Sequence, residues 1–79
     1  MKKVRLHGVR RVVINSEYIR LDSLLKFAAI ASTGGEAKLL IQSGKVFVGG
    51  EPCIQRGKKI RNGNVVRYGN EILFVSQPE

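Results

Sequence analysis

The chain has little with which to do covalent chemistry. Its 79 residues hold one cysteine, Cys53, and one histidine, His7. A lone cysteine excludes an internal disulfide, and with it the stapled frameworks of small secreted domains. Cys53 is expected to serve as a small buried hydrophobe. One Cys and one His do not supply the ligands of a zinc site. Negative charge is scarce too: the six acids, Glu17, Asp22, Glu36, Glu51, Glu71 and Glu79, stand singly. No carboxylate pair and no nucleophile–His–acid set is visible, so an enzyme is not expected, nor a cofactor, metal or small-molecule substrate. Neither Gly44-Lys45 nor Gly57-Lys58 has the upstream glycine and following Ser or Thr of a nucleotide phosphate loop.

Apolar length is missing as well. No run approaches the roughly 20 residues of a membrane span. The basic start, Met1-Lys2-Lys3-Val4-Arg5, is not followed by the apolar stretch of a secretory leader. Cytoplasmic location is the resulting expectation, and a single domain is all this length accommodates. There is no tryptophan, and the five aromatic residues, Tyr18, Phe27, Phe47, Tyr68 and Phe74, are expected to lie mostly in the core.

Positive charge is abundant. Fourteen Lys and Arg against six acids give a net charge of +8. On so small a domain this points to a polyanion: nucleic acid or an anionic membrane surface. Neither short helix combines a basic face with bulky aromatics, which disfavours the membrane. Two stretches free of acid hold most of the cations. One is residues 2–11, with Lys2, Lys3, Arg5, Arg10 and Arg11; the other is residues 56–67, with Arg56, Lys58, Lys59, Arg61 and Arg67. Like charges crowded at a turn repel, so residues 56–61 of the second stretch read as a phosphate-binding loop rather than a solubilising surface.

The local pattern gives an α+β domain: two short helices packed on a small antiparallel sheet, with an extra N-terminal strand. Residues 1–10 read as a basic arm and 11–79 as one domain. Within the arm, Val4 and Leu6 alternate with polar residues and suit a strand; Arg11 to Asn15 is β-branched and reads as another. Leu21, Leu24, Leu25 and Ala28 fall on one face of a first helix. Asp22 stands in its first turn, four residues ahead of Lys26 in the favourable order. Thr33-Gly34-Gly35-Glu36 opens a second helix as a capping box, in which Thr33 accepts from the amide of 36 and Glu36 reaches back to that of 33. Ala37, Leu40 and Ile41 form its apolar face, and Gly44 ends it. The two glycines at its start leave amides exposed, which suits either an anion or plain capping. Val46 to Val48, a Gly49-Gly50 turn, a return strand Pro52 to Gln55, a turn at Asn62-Gly63, and a hairpin of Val65 to Tyr68 with Ile72 to Val75 complete the reading.

Taken in order, these pieces resemble a known family. Arg20-Leu21-Asp22-Ser23-Leu24-Leu25 is similar to the Arg-Leu-Asp-x-x-Leu opening of the S-four-type RNA-binding domain, also called the αL motif. Thr33, Glu36, Ala37, Ile41, Gly44, Val46, Val48 and Gly50 fill the places of its second helix and following strand. Arg56 to Lys59 match its basic turn and Gly63-Asn64-Val65 its Gly-x-Val step. The compact length and Thr-Gly-Gly-Glu-Ala-Lys stretch look most like the small stand-alone bacterial branch (YbcJ-like). The chain departs at Gly34 and Leu39, where many members carry basic residues, and at Asn64, where Asp is usual.

The resemblance implies binding to structured RNA, ribosomal or transfer RNA, through backbone phosphates, and association with the ribosome. The lost charges shift weight to Lys38, Lys45 and the 56–61 turn; the expected contacts are Arg20, Lys26, Lys38, Lys45, Arg56, Lys58, Lys59 and Arg61, with Thr33 at the start of the second helix. Two other readings fit the charge or the surface: non-specific duplex DNA binding, and a protein-interaction adaptor in a ribonucleoprotein that uses Leu39 or the sheet edge near Pro52.

Overall fold

The computed structural model describes residues 9–78. Lys2, Lys3, Arg5 and the alternation around Val4 and Leu6 lie outside the described residues. Nine elements follow one another: β1 Val9–Val13, β2 Tyr18–Arg20, α1 Leu21–Phe27, α2 Gly34–Gln42, β3 Val46–Val48, β4 Glu51–Pro52, β5 Lys59–Arg61, β6 Val65–Tyr68 and β7 Glu71–Ser76. Five strands form a sheet in the order β1-β7-β6-β3-β4, and β2 and β5 pair separately as a two-stranded ribbon. The result is the α+β fold that the sequence suggests.

Local chemistry explains most element boundaries. Gly49 and Gly50 both take positive φ, 60° and 88°. That is the geometry of a primed turn, whose twist matches the strands it joins. Thr33 Oγ1 accepts from the Glu36 amide at 3.0 Å and starts α2 as expected. The other half of the capping box shifts by one residue: Glu36 Oε1 accepts from the amide of Ser32, at 2.7 Å, rather than from that of Thr33. Helix α1 ends with crossed bonds, Ile30 N to Leu25 O and Ala29 N to Lys26 O. This motif needs a left-handed residue, and Ala29 fills it at φ 62°.

The sheet departs from the expected pattern in three respects. Three of its pairings are antiparallel, but β1 pairs β7 in parallel, from Val9 opposite Ile72 to Val13 opposite Ser76. The first described strand is Val9–Val13 rather than Arg11 to Asn15, so Arg10 belongs to the sheet rather than to an arm. The return strand is Glu51–Pro52, not Pro52 to Gln55; after one further bond from the Cys53 amide to Val46 O, the chain turns away toward Arg56. Pro52 does sit on an edge strand, where its missing N–H costs no ladder bond.

One face of the sheet holds the core. Val12, Val46, Val66, Leu73 and Val75 meet Leu21, Leu24 and Leu25 of α1, Ala37 and Ile41 of α2, and Ile60 of β5. This core is aliphatic. The aromatics expected inside lie at its rim or outside: Phe27 is 67% exposed and Phe74 41% exposed. Strand alternation is the cause for two of them. Phe47 stands between buried Val46 and inward Val48, and Phe74 between Leu73 and Val75, so both rings turn to the other face. Cys53 is half-buried against the core, close to the role expected of it.

Candidate nucleic-acid interface

The ribbon of β2 and β5 carries much of the basic surface. Its register sets Tyr18 opposite Arg61, Ile19 opposite Ile60, and Arg20 opposite Lys59. Ile60 is completely buried, which anchors the ribbon to the core. Alternation then turns Tyr18, Arg20, Lys59 and Arg61 outward together. Lys59 Nζ lies 4.9 Å from the centre of the Tyr18 ring, and the Arg61 guanidinium 5.6 Å from it. The ring face offsets part of the repulsion between these two cations. Arg61 also stands 4.0 Å from the exposed Glu17.

Helix α1 grows directly from the ribbon, because Arg20 is both the last residue of β2 and the N-cap of α1. Its side chain does not cap the helix. The first amides are satisfied by the basic loop instead: Leu21 N donates to Lys58 O at 2.9 Å and Asp22 N to Arg56 O at 3.1 Å. These bonds fix residues 56–58 against the start of the helix.

Asp22 is the centre of this junction. Its side chain is buried, 7% exposed, while those of Arg20 and Arg56 are 52% and 39% exposed. Asp22 Oδ2 accepts from Arg56 Nε at 2.7 Å and from Arg20 Nη2 at 3.0 Å. Oδ1 accepts from Arg20 Nε at 3.2 Å and from the Ser23 amide at 2.8 Å. Burial alone raises the pKa of this carboxyl. The bonds from Arg56, Arg20 and the Ser23 amide outweigh it and hold the group below the ordinary carboxylate range. One buried anion thus holds two guanidinium groups side by side. Each keeps nitrogens that the clasp does not use.

Two glycines lie against the clasp. A Cβ on Gly57 would lie 3.7 Å from Arg20 Nη2, and one on Gly34 would lie 3.5 Å from Arg56 Nη2. Arg56 therefore places cationic nitrogen beside the first turn of α2.

The structure brings Arg20, Arg56, Lys58, Lys59 and Arg61 together around the start of α1. Thr33 is at the neighbouring helix start, where its Oγ1 is engaged as a cap. Lys26 lies in the last turn of α1, Lys38 on the exposed side of α2, and Lys45 just before β3; all three are exposed. Asp22 does not pair with Lys26 as the i, i+4 spacing suggests, because burial and the two arginines take its oxygens. Tyr18, the platform beneath Lys59 and Arg61, is not among the residues the sequence singles out for binding. Its signal was the alternation Tyr-Ile-Arg facing Lys-Ile-Arg, too short to stand out in one sequence. The arginines of β1 serve elsewhere: Arg10 pairs with Glu71 at 3.0 Å, and Arg11 Nε donates to Ser76 Oγ at 2.8 Å.

A small α+β domain with a basic ribbon and an arginine clasp at the start of its first helix has the chemistry of a nucleic-acid-binding module. The chain belongs to the S4 domain family, whose sequence pattern matches residues 12–76. It is also similar to the probable ribosome maturation protein RlbA of Bacillus subtilis (strain 168). The two are 38% identical over 55 residues, which cover 70% of this chain and 78% of that protein. The match to the S4 pattern takes in all nine elements apart from the first residues of β1.

Proposed function

We propose that this protein is a non-catalytic RNA-binding domain that holds structured RNA by its backbone phosphates and works with the ribosome in the cytoplasm. The observation that carries this reading is the Asp22 clasp. A buried carboxylate spends its hydrogen bonds on two half-exposed arginines, which costs their flexibility and orients them outward. Lys58, Lys59 and Arg61 extend the positive surface along the ribbon, and Lys38, Lys26 and Lys45 flank it. Such a surface reads the shape and charge of a folded RNA, since most contacts go to phosphate and sugar. Membership of the S4 family and the likeness to a ribosome maturation protein support ribosomal RNA as the target class.

The test is fluorescence anisotropy with a tetraloop-capped ribosomal RNA hairpin and a length-matched DNA duplex, each across a salt series. If five or six phosphates are engaged, log affinity for the hairpin falls with log salt at a slope of roughly −4 to −5. Lys58→Glu with Lys59→Glu weakens the hairpin at least tenfold and flattens the slope. Equal affinity for RNA and DNA, or an unchanged affinity in the double variant, contradicts the reading.

A further inference from the structure

The outer face of the five-stranded sheet, opposite the helices, is built unlike the rest of the surface. Its register sets Phe47, Arg67, Ile72 and Val9 in one row across four strands, and Val65, Phe74 and Arg11 in the next. Val9 is 68% exposed, Phe74 41% and Val65 39%. Among the described residues no helix or strand covers this face, and exposed apolar side chains gathered on one side of a small basic domain suit a contact surface.

Its chemistry narrows the occupant. The Arg67 guanidinium lies over the Phe47 ring, 4.4 Å from its centre, and Arg67 is exposed, so the pair presents a cation and a ring together on this face. Arg11 is held along the face by a single bond from Nε to Ser76 Oγ. The two acids on these strands, Glu51 and Glu71, alternate to the opposite side, opposite Val48 and Tyr68 in register. The face thus offers ring and guanidinium planes, positive charge and no outward carboxylate among the described residues. A second copy of the chain brings the same arginines and a net charge of +8 against it. Unpaired bases stack on rings and guanidinium planes while their phosphates take up the charge.

The geometry points to this sheet face as a second nucleic-acid site, one that takes unpaired nucleotides of single-stranded RNA. The choice of RNA over DNA rests on the function proposed above; the stacking site itself does not. A domain with both sites holds a folded stem on its helix side and a flanking single strand on its sheet side.

The test measures anisotropy of a labelled single-stranded RNA decamer, its DNA counterpart and the RNA hairpin with the wild-type chain, Phe74→Ala, Phe74→Trp and Arg67→Ala. Phe74 is outward-facing, and circular dichroism confirms that each variant folds. Phe74→Ala weakens the single-stranded RNA about tenfold, as loss of one stacked base does. Phe74→Trp preserves its binding, Arg67→Ala weakens it, and the hairpin affinity stays the same throughout. Single-strand affinity unchanged in both alanine variants overturns the proposal and leaves the hairpin site standing. Equal binding of the DNA strand overturns RNA as the occupant. A wild-type dimer in sedimentation that Phe74→Ala dissociates, without effect on strand binding, makes a second copy the occupant and likewise overturns it.

Discussion

Asp22→Asn separates oriented charge from mere charge. The substitution keeps the side-chain volume and raises the net charge from +8 to +9, since one acid is removed. If attraction to RNA depends on total charge alone, the variant binds more tightly. If the clasp matters, it binds more weakly. The wild-type carboxylate accepts three bonds from Arg20 and Arg56 and one from the Ser23 amide, at 2.7–3.2 Å. A hydrogen bond involving a charged group is worth about 1.5–3 kcal/mol when its partner is lost from a buried site. Both arginines are more than a third exposed, so solvent replaces much of what they lose. A net cost of about 2 kcal/mol follows, and a domain of this size then melts about 8–16 °C lower. The freed guanidinium groups must be reordered on each binding event, which weakens hairpin affinity about five- to tenfold, or about 1–1.4 kcal/mol. The assay is anisotropy at a temperature where circular dichroism shows the variant folded. Hairpin affinity equal to or tighter than wild type, with an unshifted melting curve, refutes the clasp.

Two further predictions follow from the same physics. The Asp22 carboxyl is held below its ordinary range in the folded protein, so its contribution to stability is complete above the unfolded value of about 3.9 and is lost as pH falls through the lower folded value. Urea midpoints measured from pH 6 down to pH 2 therefore fall more steeply for wild type than for Asp22→Asn; parallel curves contradict this. Ala29→Gly relieves a left-handed residue at φ 62° and raises stability by about 0.5–1 kcal/mol, seen as a melting point several degrees higher with hairpin affinity unchanged.

What could be read from the sequence was local. The Leu21, Leu24, Leu25 stripe and the Thr33 cap lie within single turns, and both helices appear where those signals put them. The Gly49-Gly50 turn and the β6–β7 hairpin are set by neighbours only a few residues apart. The parallel pairing of β1 with β7 joins positions more than 60 residues apart, and nothing in either strand names its partner. The β2–β5 ribbon was invisible for another reason: each strand has three residues and one apolar position, too few to show a period. The clasp falls between these cases. Arg20-Leu21-Asp22 reads as a family signature and Arg56 as part of a basic turn, but Asp22 and Arg56 stand 34 residues apart and only the fold brings them together. Aromatic character suggests burial for Phe47 and Phe74, but strand phase turns both rings to the outer face.

The central claim is that RNA meets the protein where Arg20, Asp22 and the 56–61 loop converge. Amide NMR of the labelled chain, titrated with the tetraloop-capped hairpin, tests it residue by residue. The account predicts the largest changes at Arg20 to Ser23, Arg56 to Arg61 and Gly34 to Lys38, with β1 and β7 little affected by a fully paired stem. Changes centred on β1 and β7, or spread evenly over the exposed lysines and arginines, contradict it.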